Sequence, residues 1–404
     1  MQLNRNNPQD GPLVSVVIPS PADPERAPEC VRAVLDQTWS NREIVLVCDA
    51  DTEVSVPPDE PVRVVSESRG DNLARLINRG IRAADGEIVV VLMPNCLPAS
   101  VRWMEELIRP FEDSDVGAVV SQCVAHDTRE LNLPARLMES VESPELTAEG
   151  EPTDLHLLSH LCDALRADLL RDVDHVYDPS IKTPGEAVDL SLRMGTTGKR
   201  ILLSPTASVL YRDPPTTRTL GSVLGKALEY GRADAVLGKA YNIDWLGSRT
   251  FAAAALSLAL IPIAFFNRPV AVIAAGLLFA WGWFLPLRLP VIRWEWPVSV
   301  LNVAVYAAIV LSIRDHWAPG LFPPRRWHPA IIRQWCLLAG MTGSYLLLLA
   351  YSGATSAVRG IKDRRGLVTS PAILVLGTIW YLLSGIGYLL GYLADRGPET
   401  SDEA

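Results

Sequence analysis

Cysteine is scarce in this sequence, and its pattern argues against two kinds of stabilised domain. The 404 residues contain six cysteines, and none of them belongs to a Cys-x-x-Cys pair. Disulfide-stabilised secreted domains and zinc sites both depend on closely spaced cysteines. We therefore expect a reduced, cytosolic domain with free thiols, and the polar segment 1–12 shows no signal peptide. The six are Cys30, Cys48, Cys96, Cys123, Cys162 and Cys336.

Positive charge is also scarce, and it is unevenly distributed. Residues 1–245 contain 24 Lys and Arg against 39 Asp and Glu, a net charge of −15, whereas residues 246–404 have a net charge of +6. The polar half has no basic face with interleaved aromatic residues, which argues against a dedicated nucleic-acid binder. The chain is nevertheless 49% hydrophobic, which is too apolar for an intrinsically disordered protein.

Five apolar stretches follow residue 250 and predict an α-helical membrane domain over residues 250–394. A helix needs about 20 residues to cross the hydrocarbon core, and the last two stretches are long enough. The first two are short and lie close together, so that they either cross or form a hairpin. Buried core helices of a soluble protein are the alternative, which fits poorly with so few internal charges. The stretches cover residues 251–266, 270–287, 297–313, 331–351 and 371–394.

The Lys and Arg residues of the short loops predict the orientation. The segment 359–365, between the last two stretches, contains four basic residues, and the tail 395–404 is acidic. This places the loop in the cytoplasm and the tail outside. Counting back four helices places the N-terminal domain in the cytoplasm, although three arginines between 314 and 326 argue mildly against it. We expect a multi-pass protein of the cell inner (plasma) membrane.

The N-terminal half alternates short β-branched runs with helical patterns. Strands are predicted at 13–18, 43–47, 62–65, 87–92 and 116–121, and helices at 29–37, 73–84 and 100–111. This alternation predicts an α/β domain with a Rossmann-like, mostly parallel, doubly wound sheet. Ligands of such sheets bind beyond the carboxyl ends of the strands. The segments at those ends are 19–23, 48–53, 66–72 and 93–98.

Five motifs occur in an order that resembles family-2 glycosyltransferases of the GT-A fold. Val14-Ser-Val-Val-Ile-Pro19 resembles the opening strand of that family, and the segment from Gln37-Thr38-Trp39 to Cys48-Asp49 is similar to its QT…EIIVVDD pattern. Leu73-Ala-Arg-Leu-Ile-Asn-Arg-Gly80 resembles the helix beside the nucleotide. Residues 177–193 resemble FDP…GEDVDLSLR, and residues 199–209 resemble YRIxYxPxAxVxH. The resemblance covers residues 13–212, which we assign to a GT-A domain.

The resemblance implies a site for a nucleotide-sugar of the UDP, GDP or dTDP type. In the family, Mg²⁺ or Mn²⁺ neutralises the departing diphosphate, and a carboxylate base removes the proton of the acceptor hydroxyl. The metal is held by the last Asp of Asp-x-Asp and often by a late His, and the base is the Asp of a Glu-Asp pair. The residues that the resemblance places at the nucleotide-sugar are Pro19, Asp49, Asp51, Arg75, Asn78 and Asn95.

The sequence departs from the family at each of these charged positions. Met93-Pro94-Asn95 stands where Asp-x-Asp is expected, Glu186-Ala187 where Glu-Asp is expected, and Tyr211 where the late His is expected. Asn95 offers one neutral oxygen and Met93 a soft sulfur, and both are poor ligands for Mg²⁺ or Mn²⁺. We therefore assign no metal ligand; Mg²⁺ or Mn²⁺ is a possible cofactor whose usual ligands are missing.

Two functions remain open. In the first, a membrane-anchored glycosyltransferase uses Glu186 or Asp189 as the base, and Arg75, Arg193 or Lys199 replaces the charge of the metal. Its acceptor is a lipid-linked glycan or a polysaccharide. In the second, a pseudo-glycosyltransferase binds a nucleotide or acts as a scaffold subunit among the partner proteins of a glycan-assembly complex, since site chemistry rather than fold decides function. A transporter with a regulatory α/β domain is a weaker third, because the spans lack paired charges.

Each candidate residue also has an ordinary structural explanation. Asp49 can cap the loop after its strand, and Asn95 can be a turn residue. Arg75 can be a solvated helix residue, as surface arginines usually are. Glu186 and Asp189 can be carboxylates near a helix N-terminus, where the helix dipole favours them.

Residues 213–249 join the two halves. Asp213-Pro-Pro-Thr-Thr217 predicts a stiff turn, and residues 220–240 place apolar side chains on one side and most charged ones, Asp234 among them, on others. This pattern predicts an amphipathic helix at the membrane surface, with an ordinary domain helix as the alternative. Tyr230-Gly-Arg232 resembles a segment of membrane-attached members that build exopolysaccharide, but the Gln-x-x-Arg-Trp motif of processive synthases is missing.

Overall fold

The computed structural model describes most of the N-terminal half and parts of the C-terminal half. The chain divides into two compact units, Met1–Glu130 with Ser143–Pro215, and Leu131–Glu142 with Thr216–Ala404. The described residues are 11–20, 26–49, 62–67, 72–125, 132–142, 150–171, 173, 175–181, 185–211, 218–241, 349–350, 352–358, 364–394 and single positions between 243 and 259.

The described strands of the first unit form one sheet. Its order is β3-β2-β1-β4-β8-β6-β9-β5, and β7 pairs with β9 at one side of that path. All five strands predicted from the sequence are confirmed, as β1, β2, β3, β4 and β6. The strands are β1 Val14–Ser20, β2 Arg42–Asp49, β3 Val62–Glu67, β4 Ile88–Leu92, β5 Cys96–Pro98, β6 Val116–Ala125, β7 Thr153–Leu155, β8 Cys162–Arg166 and β9 Arg200–Tyr211.

The prediction of a mostly parallel sheet is confirmed only in part, because the sheet is mixed. Among the described strands, β1 pairs in parallel with β2 and β4, as do β2 with β3 and β6 with β9. The other four pairings are antiparallel: β4 with β8, β8 with β6, β9 with β5 and β9 with β7. Strand β8 lies in the middle of the sheet and runs against both neighbours. Its sequence, Cys-Asp-Ala-Leu-Arg, has neither the β-branched content nor the alternation that identifies a strand.

Helices cover both faces of this sheet. Helices α1 (Ala27–Leu35) and α3 (Trp103–Ile108) pack on one face, with Val16 and Ile18 of β1. Helices α2 (Leu73–Ala83) and α5 (Gly185–Thr196) pack on the other face, with Val17. Successive residues of a strand point to opposite faces, so β1 is apolar on both sides and reads as a continuous β-branched run.

Gly80 allows α2 to lie directly on β1. A Cβ atom at this position would lie 2.3 Å from Cγ1 of Val17 and 2.9 Å from Cγ2 of Val47. Both neighbours are fully buried, and neither side chain has room to move in a close-packed interior.

The five described cysteines are free thiols, as the sequence predicts, and Cys336 lies outside the described residues. Burial raises the pKa of the Cys30 thiol to about 12, with a smaller contribution from Glu29. The pKa of Cys162 is also raised, chiefly by burial. These thiols stay protonated at neutral pH and pack as small apolar side chains.

The second unit contains three long described helices: α4 (Leu133–Glu142), α6 (Leu220–Tyr241) and α7 (Arg364–Ala394). Helices α6 and α7 approach at glycines. A Cβ on Gly231 of α6 would lie 1.9 Å from the carbonyl oxygen of Ser384, and one on Gly387 of α7 would lie 2.2 Å from that of Leu228. The ring of Tyr230 meets Trp380 edge-on, with 5.7 Å between the centroids.

This packing corrects the predicted surface of α6. Helix α7 covers the side of α6 that is predicted to lie on the membrane surface, including Ala227, Leu228 and Gly231. Asp234, predicted on a polar side, is fully buried, and its Oδ2 accepts a hydrogen bond from the backbone N–H of Ser248 at 3.1 Å. A local periodicity does not show whether an apolar side will meet lipid or another helix.

Among the described residues, one helix is long and apolar enough to cross a membrane, namely the 28 residues Leu367–Ala394 of α7. At about 1.5 Å per residue it is longer than the hydrocarbon core. Helix α7 begins seven residues before the predicted 371 and continues through Pro371. The predicted stretches 270–287 and 297–313 lie outside the described residues, as do most of 251–266 and 331–351, the turn 213–217, and the tails 1–10 and 395–404.

We expect Gly80→Ala to lower the free energy of unfolding by about 1–3 kcal/mol, because the added methyl group overpacks α2 against β1. Thermal and urea unfolding of the purified full chain measure this. The matched control is Gly195→Ala on α5, where nothing lies within 4 Å of the added Cβ. That variant should be neutral or slightly stabilising, and equal losses in both variants would contradict the packing argument.

In the second unit, Gly231→Ala should separate α6 from α7 and lower stability by a comparable amount, because the new methyl group meets backbone that cannot rotate away. Gly225→Ala on the same helix, with nothing within 4 Å of its Cβ, is the control. Differential scanning calorimetry in detergent would show a lower unfolding temperature for Gly231→Ala alone. An unchanged temperature would mean that the two helices do not touch there.

Candidate functional site

The carboxyl end of β4 leads into a tight turn. This turn stands at the position that the resemblance assigns to the metal-binding motif. The backbone N–H of Cys96 donates to the carbonyl of Met93 at 2.8 Å, which closes the turn over Pro94 and Asn95. Cys96 then begins β5, where it lies opposite Tyr211 at the end of β9. The fold therefore brings together the two positions, 93–95 and 211, that the resemblance assigns to Asp-x-Asp and the late His.

The side chains at this turn do not fit a divalent metal. Met93 and Tyr211 are half-buried and pack, with Leu161, against the apolar core under β4. Asn95 Oδ1 accepts a weak hydrogen bond from the thiol of Cys96 at 3.8 Å. Asn95 lies in the turn, as expected if it is an ordinary turn residue. Mg²⁺ and Mn²⁺ prefer several charged oxygens, whereas this set offers a thioether, a neutral amide and a phenol. Within the described ranges no three His, Cys, Asp or Glu residues form a metal-binding group.

Glu186 is placed beside this region, but it is enclosed. It lies in the first turn of α5, and its side chain is 1% exposed. Its Oε1 lies 3.7 Å from Nδ1 of His160, whose side chain is 14% exposed. His160 is a site residue that the sequence analysis missed, because no motif surrounds it. The one local signal is its position, two residues before the start of β8.

Asp163 fixes the backbone around His160. Its Oδ1 accepts hydrogen bonds from the N–H of Ser159 at 2.9 Å and from the Ser159 hydroxyl at 2.7 Å, and its Oδ2 accepts from the N–H of His160 at 2.9 Å. Burial raises the pKa of Asp163, and the Ser159 hydrogen bonds oppose that shift. His160 has φ of 66°, which makes it the one non-glycine residue with positive φ among those described. Such a conformation is costly for a side chain with Cβ and needs surrounding support.

Asn78 does not face a ligand but holds another segment of the chain. Its amide donates to the carbonyl of Tyr177 at 2.6 Å and accepts from the N–H of Tyr177 at 2.9 Å. Asn78 is 4% exposed. We therefore interpret it as a positioning residue for the Tyr177-Asp178-Pro179 segment rather than as a nucleotide ligand. The Tyr177 hydroxyl is buried without a hydrogen-bond partner among the described residues, and burial, followed by Asp163 and Glu186, raises its pKa.

Asp189 is an equally poor base. Its Oδ2 lies 2.8 Å from Nη2 of Arg193 and accepts from Nε at 2.9 Å. Arg193 also donates to the carbonyl of Val176. Asp189 is 5% exposed. The ion pair joins α5 to the segment before Tyr177, and both charged groups are bound by neighbouring groups of the protein. This corrects the expectation that Asp189 is a base and that Arg193 replaces a metal.

The remaining predicted residues lie on different strands and helices of the first unit. Lys199 precedes β9 and donates to the carbonyl of Ser114 at 2.8 Å, before β6 begins. It therefore lies at the amino edge of these strands and does not reach the turn after β4. Arg75 is exposed in the first turn of α2, and Pro19 is buried in β1 opposite Val47. Asp49 ends β2, while its side chain and all of Asp51 lie outside the described residues.

Residues 15–173 match Glycosyl transferase family 2. This part of the first unit is therefore similar to a family-2 glycosyltransferase domain. Glycosyltransferase GlyG of Streptococcus pneumoniae serotype 4 is 28% identical over 127 residues, which are 30% of this chain and 42% of that protein. The chain thus spans less than half the length of the curated relative that it matches. Glu186 and Tyr211 follow the matched segment, so their placement depends on the topology.

Solved structures with similar folds are remote. The mannosyltransferase PcManGT from Pyrobaculum calidifontis, in complex with GDP-Man and Mn²⁺, is 14% identical, with 97% of this chain and 90% of that chain covered and a TM-score of 0.46. S. aureus TarS 1-349 in complex with UDP is 15% identical, with 56% and 70% covered and a TM-score of 0.40. Likeness at this level does not by itself assign a ligand.

Asn78→Ala should lower the free energy of unfolding by about 2–4 kcal/mol, since it leaves the buried backbone N–H and carbonyl of Tyr177 without their partners. Urea unfolding of the full chain measures the loss, and Arg82→Ala, on the exposed side of the same helix, is the control. If Asn78→Ala kept full stability and lost only nucleotide affinity, Asn78 would be a ligand residue and the reassignment would be wrong.

Proposed function

We propose that the protein is a membrane-anchored glycosyltransferase that transfers a sugar from a nucleotide-sugar without the usual divalent metal. The observation that carries this proposal is the turn at Met93–Cys96 beside Tyr211. It occupies the carboxyl edge of a family-2 domain, where the family binds its donor, and yet it offers no charged oxygen. The donor is of the UDP, GDP or dTDP type, in keeping with the family match of residues 15–173.

The membrane part of the proposal is supported by α7 and by the sequence. Helix α7 contains a 28-residue apolar segment, and four further apolar stretches follow residue 250. The basic loop 359–365 and the acidic tail favour a multi-pass protein of the inner membrane with its sugar-transferring domain in the cytoplasm. A cytosolic donor and a lipid-linked glycan acceptor are the substrates that this arrangement brings together.

A second function is favoured by one specific observation. The base position is Ala187, Glu186 is enclosed at 1% side-chain exposure, and Asp189 is in an ion pair. No described carboxylate of α5 is therefore open to an acceptor hydroxyl. A pseudo-glycosyltransferase that binds the nucleotide and serves as a scaffold subunit in a glycan-assembly complex would keep this arrangement without turnover.

Binding of UDP, GDP and dTDP to the purified full chain in detergent, measured by calorimetry with and without Mn²⁺, tests the proposal. We expect one of the three to bind, with an affinity that Mn²⁺ leaves unchanged, because the described side chains at the turn provide no ligand for it. The matching nucleoside is the control for recognition of the diphosphate.

Two outcomes would contradict the proposal. Failure of all three nucleotides to bind would remove the donor site, and a clear gain with Mn²⁺ would place a carboxylate such as Asp51 in a metal site. Release of nucleoside diphosphate from the corresponding nucleotide-sugar then separates the two functions: turnover supports the transferase, and binding without turnover supports the scaffold.

A further inference from the structure

A nucleotide-sugar brings two negative phosphates to a turn where the described side chains form no acidic metal site. A diphosphate held in a partly enclosed site needs a cation or several donors. Two of the three residues proposed from the sequence as substitutes do not meet this need, because Arg193 is paired with Asp189 and Lys199 lies at the opposite edge of the strands. The third, Arg75, is exposed in the first turn of α2. Among the described side chains next to the turn, His160 is a further candidate.

His160 lies next to that turn. The last residue of β4, Leu92, is opposite Cys162 of β8, and the pairing continues for one step beyond the strands. The backbone N–H of Met93 donates to the carbonyl of Leu161 at 2.9 Å. His160 therefore directly precedes the residue that is hydrogen-bonded to the first residue of the turn.

Three separate elements hold the loop of His160 in place. Asp163 of β8 binds the N–H of His160, Met93 binds Leu161, and the hydroxyl of Ser191 on α5 accepts from the N–H of Leu158 at 2.9 Å. This support maintains the positive φ of His160. Non-glycine residues in this conformation are concentrated at ligand sites, where the surrounding structure fixes them.

Glu186 gives His160 its electrostatic character. The carboxylate lies 3.7 Å from Nδ1 and is 1% exposed, whereas the ring retains 14% exposure. A ligand therefore reaches this pair through the imidazole and not through the carboxylate. The charged or titratable groups around the ring are Glu186 of α5 and Asp163 of β8, with Tyr177 and Arg193 next to these two.

We propose that His160, held by Glu186, binds the diphosphate of the nucleotide-sugar in the place that a metal ion takes elsewhere in the family. This inference rests on the proposed function, since it requires a nucleoside diphosphate in the site. It assigns a binding role to a residue outside every motif of the sequence, and it gives Glu186 a positioning role in place of the catalytic role expected from its motif.

The first test is His160→Asn, because asparagine tolerates positive φ better than most residues and removes the imidazole. The probe is whichever of UDP, GDP and dTDP binds the full chain, together with its monophosphate and its nucleoside. We expect the variant to bind the diphosphate about tenfold more weakly or worse and the nucleoside as well as before. His175→Asn, at an exposed histidine paired with Asp178 in the same unit, is the matched control and should bind like the unmodified protein.

The second test is Glu186→Gln, which removes the carboxylate that lies 3.7 Å from Nδ1 of His160. Glu186→Gln should weaken binding of the diphosphate in the same direction, and it provides the test if His160→Asn proves unfolded by circular dichroism.

The outcomes separate this inference from the proposed function. If a nucleoside diphosphate binds and neither His160→Asn nor Glu186→Gln weakens it, the inference is wrong and the proposed function stands. Tighter binding with Mn²⁺ overturns both the inference and the metal-independent function. If no nucleotide binds the unmodified protein, the proposed function fails, and the inference fails with it.

Discussion

A buried carboxylate near the start of β8 has to be satisfied by the chain around it, and the arrangement of the candidate site follows from that requirement. Asp163 accepts two hydrogen bonds from Ser159 and one from the backbone of His160. An enclosed carboxylate without such donors would cost several kcal/mol. The hydrogen bonds therefore hold the residues before β8 in one conformation. Because β8 runs against β4, that conformation places residues 160 and 161 beside the turn that ends β4.

The parts of this fold that a sequence pattern can predict are those whose burial leaves a local signature. Strands β1, β2, β3, β4 and β6 contain β-branched runs, and strands buried on both faces, such as β1 and β4, have to be apolar throughout. Strand β8 carries Asp163 and Arg166 in five residues, so nothing in its composition separates it from a loop. Helix α4 lies within the sequence of the first unit but belongs to the second. No local sequence pattern predicts that a helix packs in the other unit.

The candidate site was predictable only where a motif and a position coincide. Residues 93–95, 186 and 211 were identified by their order, and the fold brings 93–95 together with 211, as the Cys96–Tyr211 pairing shows. Asn78 and Asp189 were identified in the same way, yet they bind Tyr177 and Arg193. The sequence of a motif does not show whether a polar residue in it binds a ligand or another part of the chain. His160 could not be found at all, since its partner Glu186 is distant in sequence and the contact is made only by folding.

Helix α4 has a consequence for how the protein can be divided. Leu137 and Met138 are fully buried in the core of the second unit, together with residues of α6 and α7. The polypeptide therefore enters the second unit, returns to the first and leaves it again. A fragment cut after β9 would contain every strand of the sheet and still carry an apolar helix without its partners. Exposed apolar surface of this kind promotes aggregation, so the segment up to β9 is not an independent module, and its solubility depends on the helices that pack against α4.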